Sequence, residues 1–127
     1  MTYKLLIDGQ LVDGASTLDV INPATGKVFA SCARADENQL EQAIAAARRA
    51  FPAWAALDHK KRGAYLVKLA DAMEARKDEF AELLTREQGK PLPYAAGEVE
   101  YGIGALRYFA ALDFPLETRS ETEEGRI

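Results

Sequence analysis

The spacing of apolar residues changes once along this 127-residue chain, at Asp36, and that change constrains the fold more than any other feature. Before Asp36, apolar and polar residues alternate, which is the pattern of strands with one covered face. After it, apolar residues recur every three or four positions, which is the pattern of amphipathic helices. The sequence therefore predicts an α+β piece in which a small antiparallel β unit is followed by about three helices.

Turn signals divide the predicted β unit, which covers residues 3–33. Asp8-Gly9 lies between the apolar segments 3–7 and 10–12 and predicts a two-residue hairpin, and Asp13-Gly14 predicts the next turn. The stretch "NPATG" then separates strands predicted at 18–21 and 27–33. The edges of such a small unit need cover from other elements.

The first helix is predicted to begin after Asp36, which forms a capping-box pattern with Gln39, and to end at Pro52. Aromatic residues at helical spacing are typical of a core, so we expect Phe51 and Trp54 to be packed; a base-stacking platform is the alternative. The apolar stripe comprises Leu40, Ala43, Ile44, Ala47, Ala50, Phe51 and Trp54.

A second helix is predicted after Asp58, and a continuation or new turn from Asp78 carries the pattern to Glu87. Gly89 and Pro91 end it. The basic run "HKKRG" near its start is either a contact for an acidic partner or a solvated face. The buried side of the second helix is predicted to be Leu66, Leu69, Ala70 and Met73.

The third predicted helix, residues 94–112, contains Gly97, Gly102 and Gly104. Each glycine costs about 1 kcal/mol relative to alanine in a helix interior. We therefore expect either another element to approach closely there or the helix to face a cavity. After Pro115 a polar, strand-like alternation begins without a partner strand, so we expect the chain to be truncated.

Composition excludes several classes of protein. A hydrophobic content of 48% and a charged content of 28% are those of an ordinary globular protein. With a net charge of -4 and scattered basic residues, we expect no nucleic-acid partner. No apolar run approaches the roughly 20 residues of a membrane helix, and the first residues lack a signal pattern. We therefore expect no membrane association and a cytoplasmic location.

Cys32 is the one cysteine, and His59 is the one histidine. A single thiol cannot form an internal disulfide, which fits a reducing compartment. We interpret Cys32 as a small hydrophobic residue, while a nucleophile paired with His59 stays an alternative. The chain contains no CxxC, HExxH or GxSxG motif, no P-loop and no dinucleotide fingerprint after a strand.

Glu87 occupies an unexpected position. It is the i+7 member of an apolar stripe that starts with Phe80, Leu83 and Leu84, and it lies in the last turn of its helix. A carboxylate near the negative end of a helix dipole needs positive charge nearby. Either a bound cation or a salt bridge to Lys90 or an arginine provides that charge, or the side chain is partly exposed.

The segments "INPATG", the Trp54 region, "EQGKP" and "GEVEY", in this order and spacing, resemble the N-terminal part of NAD(P)-dependent aldehyde dehydrogenases. The resemblance extends over nearly the whole chain. It implies an α/β enzyme with a Rossmann-like cofactor domain, in which residues 1–115 form the outer part of that domain. Residues 116–127 would begin the oligomerisation arm of a homo-oligomer.

In that family a cysteine thiolate attacks the aldehyde, hydride passes to NAD or NADP, and a glutamate-activated water releases the acid. An asparagine side chain and the cysteine N–H stabilise the oxyanion. The resemblance implies that these residues and the cofactor ligands lie beyond Ile127, and Cys32 does not match the nucleophile's motif. No catalytic or cofactor-binding residue is therefore assigned.

The resemblance does imply one site within this chain. Family members bind a structural monovalent cation through main-chain carbonyls before the "NPATG" turn and a carboxylate before "GKP", which correspond here to Val20, Ile21 and Glu87. The implied substrate is a small aldehyde, with a weak indication of semialdehydes. The alternatives are a stand-alone α+β interaction module that docks on a full-length homologue, and an unrelated α+β binding domain.

Overall fold

A computed structural model of the chain describes residues 2–113 and 121–126. Five strands precede four helices, and a short hairpin follows them, so the predicted α+β order is confirmed. The strands are β1 (Thr2–Tyr3), β2 (Leu5–Ile7), β3 (Gln10–Val12), β4 (Ser16–Asn22), β5 (Lys27–Arg34), β6 (Glu121–Thr122) and β7 (Gly125–Arg126). The helices are α1 (Glu37–Ala55), α2 (His59–Glu74), α3 (Lys77–Gln88) and α4 (Leu92–Ala111).

The β unit is mixed rather than wholly antiparallel. β4 and β5 pair antiparallel as predicted, but β1 joins the other side of β5 in parallel, with Tyr3 opposite Cys32. The first predicted strand is broken at Lys4, because residues beyond it pair with β3 in a separate hairpin. Alternation along one segment reveals a strand but not its partner, which is why the parallel pair was not predicted.

The predicted turn at Asp8-Gly9 is confirmed. Asp8 and Gly9 have positive φ angles of 52° and 76°, which are the values of a type I′ turn, and Leu5 pairs with Val12 across the hairpin.

α1 begins as predicted but ends later. The Asp36 side chain accepts a hydrogen bond from the backbone N–H of Gln39, and Gln39 Oε1 accepts one from the backbone N–H of Asp36. Pro52 does not end the helix, which continues to Ala55. Proline removes one hydrogen-bond donor, and its own carbonyl still accepts the N–H of Ala56, so the last turn closes.

The segment after Asp58 forms two helices. α2 ends at Glu74, and α3 begins at Lys77, one residue before the predicted new turn at Asp78. Gly89 ends α3 with a left-handed φ of 78°, as predicted. α4 begins at Leu92, two residues before the predicted start, because Pro93 is tolerated in a first turn.

The core lies among α2, α3 and α4. Ala70, Val99 and Ile103 form its buried centre, and Met73 and Phe80 pack around them. Of the predicted buried side of α2, Leu69 is exposed instead.

α1 contributes little to this core. Ala46 is its buried residue, whereas Phe51 is 65% exposed and Trp54 is 44% exposed. The prediction that these two rings are core residues is therefore wrong for this chain. The Trp54 ring instead contacts the Tyr65 ring, with centroids 5.4 Å apart.

The chain exposes more surface than a compact protein of its size. Its accessible surface is 10029 Å², whereas a compact monomer of 13.9 kDa exposes about 6,700 Å². Large apolar side chains contribute to the difference, including Tyr94, Tyr101, Tyr108 and Phe109 on α4. The described elements therefore leave a large apolar surface without cover.

The glycines of α4 are not sites of close packing within the described residues. A Cβ added to Gly97, Gly102 or Gly104 would meet no other atom within 4 Å, so the expected close approach by another element is wrong there. Gly102 does line a cavity. The close approach occurs at Gly63 of α2, where an added Cβ would lie 2.7 Å from the carbonyl oxygen of Ala110.

The segment after α4 contains the hairpin β6–β7, in which Thr122 lies opposite Gly125. The expectation that the polar strand has no partner strand is therefore wrong. Residues 114–120 and 127 of the predicted arm region lie outside the described residues. Within the described ranges, no helix combines the length and the apolar composition that crossing a bilayer requires.

We predict opposite effects for two glycine substitutions. Gly63→Ala should lower the free energy of unfolding by about 1–3 kcal/mol, because its methyl group would force α2 and α4 apart. In the isolated chain, Gly104→Ala should raise it by about 1 kcal/mol, because alanine favours the helix and its methyl group would meet no described residue. Urea denaturation followed by circular dichroism measures both. Equal or greater stability of the Gly63→Ala variant would contradict the packing described here.

Candidate cation site between the sheet and α3

A β-bulge marks the place where the sheet meets α3. Val20 of β4 lies opposite Ala30 of β5, but Ile21 lies opposite Val28, so Phe29 is an extra residue without a partner. Successive strand residues normally face opposite sides, whereas Phe29 and Ala30 both line one cavity of about 150 Å³. The bulge has therefore turned the Phe29 side chain toward α3.

The end of α3 is held against the turn that follows β4. The left-handed Gly89 passes so close to Pro23 that an added Cβ would lie 3.0 Å from the Pro23 ring. The turn itself is closed by the carbonyl of Asn22, which accepts the N–H of Gly26 at 2.8 Å, and by the Asn22 side chain, which accepts the N–H of Ala24 at 2.9 Å. This contact fixes the last turn of α3 beside β4.

Two of the three predicted cation ligands meet at this junction. Val20 and Glu87 line the same 150 Å³ cavity, although 67 residues separate them in sequence. Ile21 does not line it, but it is the next residue of β4 and lies on the other side of the register shift. Its side chain is exposed, so any contribution to a site comes from its main chain.

Glu87 has no ion pair or hydrogen bond with any residue that the structure describes. Its side chain is exposed, which agrees with the alternative in which the carboxylate is partly open to solvent. Lys90, the expected salt-bridge partner, binds Glu98 instead. The neighbouring Arg86 lies over the Phe29 ring, with its guanidinium carbon 4.5 Å from the centroid. The salt-bridge alternative is therefore wrong for the described part of the chain.

A second side-chain oxygen near the end of α3, a threonine hydroxyl, lacks a hydrogen-bond partner among the described residues. The sequence analysis did not identify it. The hydroxyl of Thr85 is buried without a hydrogen bond to any described residue. Leaving a buried hydroxyl unpaired costs about 1–3 kcal/mol. A threonine in a helix ordinarily bonds a preceding carbonyl, so sequence alone gives no sign of this orphan.

The chemistry of these groups fits a hard cation. A β-bulge disrupts the strand ladder locally, and a helix C-terminus carries partial negative charge. Hard cations bind carboxylate and carbonyl oxygens. The described residues contain no cluster of three or more His, Cys, Asp or Glu side chains placed for a metal ion. The predicted set of one carboxylate and two neutral main-chain oxygens carries a single negative charge, which suits a singly charged ion.

Cys32 and His59 are not brought together. Cys32 is half-buried in the central strand, opposite Leu18, and lines the cavity between the sheet and α3. His59 lines another cavity, and its Nε2 lies 3.3 Å from a carboxylate oxygen of Asp113. The interpretation of Cys32 as a small hydrophobic residue agrees with this placement.

The basic run at the start of α2 is partly satisfied by its own neighbours. Asp58 accepts the backbone N–H of Lys61 at 2.8 Å, and this bond holds the pKa of Asp58 below its ordinary value of 3.8. The Lys61 ammonium lies 3.3 Å from the same carboxylate, and Arg62 donates to the carbonyl of Leu57. A contact with an acidic partner stays a prediction.

Comparison with known proteins identifies relatives of the whole segment. The profile of the aldehyde dehydrogenase family matches residues 11–125. A glutarate-semialdehyde dehydrogenase from Pseudomonas putida is 41% identical over 98 residues, which is 77% of this chain and 20% of the relative. The succinate-semialdehyde dehydrogenase [NADP(+)] of Escherichia coli is 39% identical, over 84% of this chain and 23% of the relative.

Solved structures agree with this comparison. An NAD-dependent aldehyde dehydrogenase from Sinorhizobium meliloti superposes with a TM-score of 0.82 and 35% identity, over 87% of this chain and 23% of that chain. The chain thus spans between a fifth and a quarter of the length of these proteins.

Proposed function

Because the chain belongs to the aldehyde dehydrogenase family, we propose that it is the N-terminal portion of an enzyme that oxidises an aldehyde to a carboxylic acid with NAD or NADP. The observation that carries this proposal is the match over residues 11–125. The semialdehyde dehydrogenases among its relatives support a small semialdehyde as the substrate. A cytoplasmic location and a homo-oligomeric assembly belong to the same proposal.

Within such an enzyme, residues 1–115 would form the outer part of the cofactor-binding domain, and residues 116–127 would begin the oligomerisation arm. The hairpin β6–β7 supports the second assignment, because a short, exposed strand pair is suited to extension by further strands. The bound nicotinamide would accept the hydride. This chain's own part is structural: it supplies the sheet, the helices and the candidate cation site.

We also propose that the 127-residue chain alone does not catalyse the reaction. Cys32 is fixed in the central strand among apolar neighbours and apart from His59. The described structure therefore brings no histidine to Cys32 that could activate it as a nucleophile.

The isolated chain should therefore produce no reduced nicotinamide from succinate semialdehyde or glutarate semialdehyde with NAD or NADP. Absorbance of the reduced cofactor measures this, with the Escherichia coli succinate-semialdehyde dehydrogenase as the positive control. Turnover that persists through purification and disappears in a Cys32→Ala variant would contradict the proposal.

A stand-alone interaction module is the second candidate, and the exposed face of α4 favours it. Tyr94, Tyr101 and Tyr108 follow a spacing of seven residues and are all more than half exposed. Gly97 and Gly104 lie between them, with nothing within 4 Å of an added Cβ. A helix face on which exposed tyrosine rings alternate with glycines is suited to packing against another protein element. That element is either the remainder of the same enzyme or a full-length homologue.

Intact mass and association state distinguish the two candidates. As part of an enzyme, the segment should be found in its host within a protein several times 13.9 kDa, and the isolated chain should self-associate through its uncovered apolar surface. Denaturing mass spectrometry of the captured host protein and light scattering of the isolated chain measure these properties. A 13.9 kDa host product that is discrete and well folded would instead support the module.

We further propose that the main-chain carbonyls of Val20 and Ile21 and the carboxylate of Glu87 hold a structural monovalent cation, K⁺ or Na⁺. The shared cavity of Val20 and Glu87, the bulge beside Ile21 and the unpaired carboxylate support this site. The cation would supply the positive charge that the carboxylate lacks at the end of α3.

Glu87→Gln should remove most of the stabilisation that KCl or NaCl provides over choline chloride at equal ionic strength. A site with cation at about 100 times its Kd stabilises the folded state by about 2.7 kcal/mol. Thermal melting of the protein, at the length its host produces, measures the difference. Glu82→Gln, an exposed carboxylate on the same helix, is the matched control and should keep the full effect. An unchanged salt difference in Glu87→Gln would contradict the assignment.

A further inference from the structure

The contact between Phe29 and Arg86 lies beside the candidate cation site, because Phe29 lines the cavity that Val20 and Glu87 share. Phe29 is the extra residue of the bulge, directly across the strand pair from the step between Val20 and Ile21. Without the bulge, alternation would direct Phe29 and Ala30 to opposite faces of the sheet. With it, both line the cavity that Glu87 also lines. The irregularity in the strand pair therefore presents an aromatic face to α3.

Arg86 covers that face. Its guanidinium carbon lies 4.5 Å from the Phe29 centroid, which is a close cation–π distance. Two other such contacts, Lys68 over Tyr65 and Arg76 over Phe80, are longer at 5.6 and 5.4 Å, and each joins residues within four positions of one another. The contact of Arg86 instead joins α3 to the sheet.

Arg86 does not form an ion pair with the adjacent Glu87. Arg86 immediately precedes Glu87, so its guanidinium is the nearest positive group in the sequence. Adjacent residues of a helix do not face each other, and the guanidinium lies on the Phe29 ring, so Arg86 forms no ion pair with Glu87 in the described structure. The carboxylate is thereby left available to another cation.

We propose that Arg86 and Phe29 are positioning residues for the monovalent cation: their contact sets the last turn of α3 against the bulge. This inference rests on the cation site proposed above. Neither residue is assigned as a ligand.

The test is a KCl titration of thermal stability at constant ionic strength, balanced with choline chloride, on the protein at the length its host produces. Phe29→Leu removes the ring face but keeps the apolar bulk, and Arg86→Lys keeps the charge but loses the planar guanidinium. Each variant should raise the half-maximal KCl concentration by about two- to fivefold, the equivalent of one exposed cation–π contact. In each variant, KCl should also protect the backbone amides of residues 83–89 from hydrogen exchange less than it does in the wild-type protein.

Arg76→Lys is the matched control, because Arg76 covers Phe80 at the other end of α3. It should lower the melting temperature equally in both salts and leave the half-maximal KCl concentration unchanged. If the wild-type protein responds to KCl and both site variants respond with the wild-type midpoint, the positioning role is overturned while the cation site stands. If the wild-type protein shows no response to KCl, the cation site and this inference are both overturned.

Discussion

The packing of α3 against β4 joins the helical part of this chain to its three-stranded sheet. On one side α3 contributes Phe80 to the core shared with α2 and α4. On the other, Leu83 lines the cavity that opens onto β5. The left-handed Gly89 then brings the end of the helix onto Pro23. The candidate site exists because these contacts place one turn of a helix beside one irregular step in a strand pair.

The same junction explains why a carboxylate is tolerated on an apolar stripe. Phe80, Leu83 and Leu84 line one cavity with residues of the helical core, and Glu87, in the last turn of α3, lines it too. There the partial negative charge of the helix C-terminus disfavours a carboxylate, and so would the carbonyl oxygens of the proposed cation site. A bound cation would turn these repulsive groups into ligands, so one ion would stabilise the sheet, the turn and the helix together.

The uncovered surface is equally informative about function. α1 contributes only Ala46 to the buried residues, and the outer face of α4 presents rings separated by glycines. The described elements bury some apolar side chains of the helices and leave others exposed to solvent. The family profile matches nearly the whole chain, and the relatives are about four times as long, which supports the proposal that this surface is an interface with further structure.

The sequence by itself determined the elements whose signals are local. The capping box at Asp36, the type I′ turn at Asp8-Gly9 and the left-handed end of α3 at Gly89 each depend on residues within a few positions. The periodicity identified helices and strands for the same reason, and the ordered motifs identified the family. The position of Glu87 on an apolar stripe also indicated where to look for a site.

Only the tertiary structure decided the rest, because it depends on contacts between segments distant in sequence. The parallel pairing of β1 with β5, the importance of Gly63 rather than the α4 glycines, and the exposure of Phe51 all depend on which neighbours are present. The bulge at Phe29 has no sequence signature, because an extra residue in one strand is defined by the register of the other. The meeting of Val20, Glu87 and the Arg86–Phe29 pair follows from that register and from the packing of α3 beside the sheet.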